Sequence, residues 1–352
     1  MTSWQNNTWV HPSPSKTVFV FVHGILSNSD GCWRNKKTGA YWPSLVAEDR
    51  NFEGASVFVS GYTASVGAGI YDARDAADEV LTRLKSTALD PPPLSKDRLL
   101  FVCHSQGGIV VREMLRSFPT KFTGKKVGLV LCGSPSWGSL WAKYLAPAVF
   151  LIRFRQASAL KWGAGSLVDL DRAFLELLHT RTLDISGMCL IETRGPLRLP
   201  KIVSEASATR YFPWKRIPRS THGDIVKPNK PDHLSHEHLR QFAEEHGFLT
   251  QKQFKKACMA IQYSMATLNE VYAQPAAPQR RAAAISELRK TANEALNLAD
   301  KDYGRVQRQL SKMLEAPLDA SGRWAFSNFS REDFDSLRKE LAALVNQPGQ
   351  PE

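Results

Sequence analysis

Ser105 stands in Cys103-His104-Ser105-Gln106-Gly107-Gly108, directly after the apolar run Leu99-Leu100-Phe101-Val102 and before Ile109-Val110-Val111. A β-branched and aromatic run that breaks at small residues and resumes as an apolar helix reads as strand, sharp turn, helix. A serine at the apex exposes its hydroxyl above the strand, beside the N–H groups that open the helix. Its chemistry would be nucleophilic attack on an acyl carbon. The pattern departs from G-x-S-x-G by placing Cys103 at the first glycine position, where a side chain facing the helix must be small.

Acyl transfer by a serine needs a base for the Oγ proton, a carboxylate to orient that base, and N–H donors for the developing oxyanion. His23-Gly24 ends the run Thr17–Val22, and its glycine lets the chain turn so that the N–H of Ile25 faces the pocket. The N–H of Gln106, next to the serine, is the second expected donor. Of the nine histidines, His222 has the required position. It follows a short strand read over 215–219, on a loop of small and polar residues. His104 adjoins the serine but is held by the elbow and reads as structural. For the acid, Glu192 ends the strand before the histidine strand and is favoured over Glu205, on the connection between the two strands. Asp184 precedes that strand at its wrong end, and Asp224 is too near His222 to orient it.

A metal-site reading of His233, His236 and His238 lacks the i, i+4 pair of H-E-x-x-H, and a solvated helix start explains these residues better. No G-x-x-x-x-G-K-[ST] or G-x-G-x-x-G pattern is present, so neither a nucleotide nor any other cofactor is expected.

The elements that must carry these groups alternate. Apolar runs at 17–22, 55–59, 98–103, 127–131 and 188–191 are separated by helical patterns at 43–49, 72–87, 107–117 and 138–180. Continuous apolar strands alternating with helices predict an α/β domain with a mostly parallel sheet covered on both faces. Such sheets gather their chemistry at the strands' carboxyl ends, where each singled-out residue falls. This domain is expected over 1–248, with a cap or lid insertion at about 138–180. Beyond it the strand-like runs vanish, and alanine-, leucine-, lysine- and glutamate-rich patterns predict a helical appendage over 249–352, a candidate for binding a protein partner or for self-association.

At 352 residues with 43% hydrophobic side chains, the chain can bury a substantial core. Five cysteines, three of them in apolar strand runs, fit reduced buried thiols better than a disulfide framework. Met1–Ser15 has no signal-peptide pattern and no run is long enough to span a bilayer, so a cytoplasmic location is expected. The net charge of +12 favours anionic surfaces such as phospholipid headgroups. The apolar stretch 145–152, flanked by Arg153 and Arg155, would suit peripheral membrane contact. No nucleic-acid partner is expected.

Taken together, Val20–Ser27, Phe58–Tyr62, His104–Gly108, Gly133–Ser139, Ile191–Thr193 and His222 with Lys227-Pro228 resemble the serine-active-site lipase and esterase branch of the α/β-hydrolases, related to GPI-inositol-deacylase-like proteins. Trp137 stands where that group usually has a histidine. The resemblance covers about residues 16–245 and implies an α/β-hydrolase fold and a lipid or other acyl-ester substrate. Its implied triad is Ser105, His222 and Glu192, with an oxyanion hole at Ile25 and Gln106. Other readings are a hydrolase-fold binding or signalling protein acting through its helical tail, and a phospholipase-type effector at membranes.

Overall fold

The computed structural model describes residues 6–24, 27–63, 72–136, 164–195, 203, 205–273, 278–298, 304–316 and 330–346. The chain divides into two compact units, 1–248 and 249–352.

In the first unit, β1 (Thr8–His11), β2 (Thr17–Val22), β3 (Ser56–Ser60), β4 (Arg98–His104), β5 (Lys126–Cys132), β6 (Asp184–Glu192) and β7 (Trp214–Ile217) form a seven-stranded sheet in the order β1-β3-β2-β4-β5-β6-β7. All neighbours are parallel except β1, which runs antiparallel to β3. Every residue of β2 and β3 is buried, as expected of parallel strands covered on both faces. Each fully buried Val, Leu or Phe there contributes about 1.5–3 kcal/mol by leaving water.

Among the described residues this unit also holds helices α1 (Trp42–Glu48), α2 (Ala73–Leu84), α3 (Gly107–Ser117), α4 (Ala164–Thr180), the one-turn α5 (Glu205–Ala208) and α6 (Leu234–Glu245). Pro43 lies in the first turn of α1, where its missing N–H costs nothing. A reciprocal box between Asp72 and Asp75 caps α2. Nine consecutive residues of α3, Gly107–Leu115, are buried, so the helix behind the elbow has almost no free face. Val110, Val111, Met114 and Leu115 join Val20, Leu99 and Phe101 in one core.

Three sequence readings change. Thr8–His11 is a strand ahead of the first apolar run read at 17–22: at a sheet edge its residues are only half-buried and lack an apolar run. The last strand is Trp214–Ile217 rather than 215–219, because Ile217 ends the ladder with Glu192. The sheet strand read at 188–191 begins at Asp184, so that residue belongs to it, at its amino end. Of the expected cap, 164–180 is helical. Residues 137–163, including the apolar stretch 145–152, and residue Ile25 lie outside the described residues.

Among the described residues the second unit holds α7 (Thr250–Ala273), α8 (Pro278–Leu298), α9 (Gly304–Glu315) and α10 (Arg331–Asn346). Phe254, Cys258, Ile261, Met265 and Leu268 recur every three or four residues along α7 and bury one stripe against the other helices. Among the described residues no helix is long and apolar enough to cross a membrane. All five cysteines are buried and free.

Candidate active site

Ser105 sits between β4 and α3 at φ 51°, a left-handed backbone that a serine adopts only where its surroundings impose it. Two features impose it. The Ser105 N–H donates to the Cys132 carbonyl at the end of β5, 2.9 Å away, and the Gly108 N–H donates to the Ser105 carbonyl at 3.2 Å. Gly107 faces the carbonyls of Val22 and His23 so closely that a Cβ there would run into backbone. The elbow is therefore wedged between the ends of β2 and β5. Gln106, the helix N-cap, and Gly107 precede the first inward-turned N–H, so theirs are helix-start donors at the positive end of the dipole. Cys103 is fully buried in the core, a packing residue at the first elbow position.

Glu192 is the last residue of β6 and His222 lies on the loop after β7. The His222 Nδ1 and a Glu192 carboxylate oxygen are 3.4 Å apart, with side chains 11% and 1% exposed. That is ion-pair distance without hydrogen-bond alignment, and Nδ1 and the other Glu192 oxygen have no other partner. Burial alone would raise the Glu192 carboxyl. The His222 imidazole, with help from the Val203 N–H at 3.3 Å, outweighs burial and holds it below the usual carboxylate range.

The two side chains meet over Gly133, the residue after Cys132. A Cβ on Gly133, at φ +55°, would lie 2.8 Å from His222 Nδ1 and 3.2 Å from Glu192 Oε2. The loop carrying His222 is stitched down independently. Thr221 Oγ1 donates to Asp224 at 2.6 Å, and the N–H groups of Thr193 and Arg194 donate to the Ser220 carbonyl at 3.2 and 3.0 Å. Asp224 thus serves its own turn.

Serine, histidine and Glu192 accordingly gather at the carboxyl ends of β4 to β7. Glu205 does not join them: it pairs with Arg216 at 2.6 Å on a half-exposed surface. The metal-site histidines disperse. The His233 Nδ1 accepts from Ser235 N–H to cap α6, His238 is half-buried with Nδ1 3.4 Å from Gln241 Oε1, and His236 is fully buried with Nε2 2.9 Å from Asp49. The solvated helix start is corrected at His236, whose ring ties α6 to the end of α1. No group of three metal-ligating side chains occurs among the described residues.

Three features escaped the sequence reading. His23 stacks on Tyr62 with ring centres 4.9 Å apart, and the Tyr62 hydroxyl reaches the His23 carbonyl and Gln106 Oε1 at 3.2 and 3.4 Å. Arg112, 1% exposed within α3, donates to the Pro135 carbonyl and to Tyr211, whose hydroxyl donates to Asp171 at 2.7 Å. A charge inside the apolar stretch Ile109–Leu115 was its only signal. His104, read only as a structural residue of the elbow, reaches the loop of His222: its Nε2 is 3.0 Å from the His222 carbonyl.

A parallel sheet with a strained serine at a strand–helix elbow, and an imidazole over a buried carboxylate two strands away, defines a nucleophile-elbow α/β domain. A model of the alpha/beta hydrolase family matches residues 19–255, and the chain belongs to that family. Among solved structures it is similar to the mature lipase BlEst2 of Bacillus licheniformis, at 14% identity and TM-score 0.46 over 65% of this chain and 96% of that one. It is also similar to the metagenome-derived lipolytic enzymes LipS and LipT, at 12% identity and TM-score 0.43 over 70% and 100%. A lipase-esterase related protein of Clostridium acetobutylicum gives 12% identity and TM-score 0.37 over 68% and 98%. No curated protein matches the chain.

Proposed function

We propose that this chain is a serine hydrolase of carboxylic esters, acting on lipid or other acyl esters through Ser105, His222 and Glu192. The observation that carries the reading is the convergence of the strained Ser105 elbow with the His222–Glu192 pair around Gly133. Ser105 Oγ attacks the acyl carbon while His222 Nε2 takes its proton. Glu192, on the Nδ1 side, fixes the imidazole's tautomer and stabilises the imidazolium that forms. The N–H groups of Gln106 and Ile25 hold the oxyanion. Collapse of the tetrahedral intermediate breaks the ester C–O bond, and His222 returns its proton to the leaving alcohol. Water, deprotonated by His222, then releases the acid from the acyl-enzyme.

Hydrolysis of p-nitrophenyl esters of graded chain length and of phospholipids tests this. Wild type is expected to turn over at least one class, with Ser105→Ala lowering kcat by about six orders of magnitude. Turnover that survives in Ser105→Ala refutes the assignment.

A further inference from the structure

His104 and Cys32 form a bridge from the nucleophile elbow to the loop of the base. The His104 ring lies 4.8 Å from the His222 ring at 42°. Its Nε2 is 3.0 Å from the His222 carbonyl oxygen, and its Nδ1 is 3.4 Å from Cys32 Sγ. A carbonyl only accepts, so His104 must carry its proton on Nε2. Nδ1 of the neutral ring then offers a lone pair, and its partner must be a donor. The Cys32 thiol is that donor.

The protonation states agree with this geometry. Burial, and then the neighbouring His222, push the His104 imidazole well below its ordinary value, which keeps the ring neutral. Burial pushes the Cys32 thiol up to about 11, so it retains its hydrogen at neutral pH. Cys32 is 3% exposed, and the nearby Gly24 backbone and Ser27 side chain only partly offset the effect of burial on its thiol. The thiol therefore joins the loop after β2, where the oxyanion donor Ile25 belongs, to the ring that holds the loop after β7.

We infer that Cys32 and His104 are positioning residues: the chain Cys32 S–H to His104 Nδ1, and His104 Nε2–H to the His222 carbonyl, sets the placement of the His222 imidazole relative to Ser105. The inference rests on the proposed serine-hydrolase reading for its consequence, but the bridge itself can be read without substrate. Neither residue touches the reacting atoms in this scheme. Their effect is on where the base stands when the Ser105 proton leaves.

Two arms test it on the full chain. In protein labelled with 15N-histidine, with His104 assigned from the signal lost in His104→Gln, the ring is expected to stay Nε2-protonated from about pH 5 to 8. The Nδ1 resonance should move in Cys32→Ala. An Nδ1-protonated ring, or an Nδ1 signal indifferent to Cys32→Ala, overturns the bridge. In the kinetic arm, the amide nitrogen of His104→Gln reaches the Nε2 position, whereas that of His104→Asn reaches only Nδ1. With a p-nitrophenyl ester, His104→Asn is expected to lower kcat about tenfold with KM within about twofold, the worth of one hydrogen bond, while His104→Gln recovers most of the loss. Equal kcat in the two folded variants overturns the positioning role. If wild type shows no Ser105-dependent turnover, the proposed reaction fails and the positioning role falls with it, while the resonances still decide whether the bridge exists.

Discussion

Gly133→Ala separates the geometry of the site from the stability of the fold. The new methyl group would stand 2.8 Å from His222 Nδ1 and 2.9 Å from Cε1. Restoring ordinary contact at about 3.5–4.0 Å requires the imidazole to retreat by about 0.6–1.2 Å. A misplacement of about 1 Å in a catalytic group costs about 100-fold in rate. The same substitution puts a side chain on a residue at φ +55°, a left-handed strain of about 1–2 kcal/mol, or about 2–8 °C in Tm for a unit of this size. Gly124→Ala supplies the control. Gly124 is at φ +74° with nothing within 4 Å of its Cβ position, so it carries the backbone strain alone. Ester hydrolysis and thermal unfolding by circular dichroism should show a similar loss of Tm in both variants, with kcat falling about 100-fold only in Gly133→Ala. A folded Gly133→Ala protein with wild-type kcat, or an equal loss of kcat in Gly124→Ala, refutes the placement of the His222–Glu192 pair over Gly133.

Other expectations follow from the same contacts. Glu192→Gln should lower kcat by about 10³–10⁴-fold, while Glu205→Gln, which breaks a half-exposed pairing with Arg216, should leave it within about twofold. Steady-state kinetics with one ester distinguishes the two. Asp171→Asn should cost about 2 kcal/mol of stability, because Arg210 and Tyr211 both bond its carboxylate, and urea unfolding measures the loss. Burial raises the Asp171 carboxyl, but Arg210 and Tyr211 outweigh it and hold its folded value below the ordinary one. Its contribution is thus present above about pH 4 and disappears as pH falls through the folded value, so the acid limb of Tm against pH should flatten in Asp171→Asn.

The sheet was legible where strands are covered on both faces. Thr17–Val22 and Leu99–Val102 read as unbroken apolar runs because no face meets water. Thr8–His11 was not legible, since an edge strand held half-buried against β3 needs neither an apolar run nor strict alternation. At the site, chain order placed Glu192 and His222 at strand ends, but the partner of Glu205 depends on the register that sets Arg216 opposite Ile191. The His104 contact with the His222 carbonyl spans 118 positions, and local sequence carries no signal for it. The same holds for Cys32, whose role exists only once the loops after β2 and β7 are folded onto the elbow.

Covalent trapping tests most directly whether Ser105 is the nucleophile. Wild-type chain and Ser105→Ala are incubated with a fluorophosphonate, and the adduct is mapped by peptide mass spectrometry. One phosphonyl group per chain is expected on Ser105, its formation slowed strongly by Glu192→Gln and absent from Ser105→Ala. Labelling of equal extent in wild type and Ser105→Ala would contradict it.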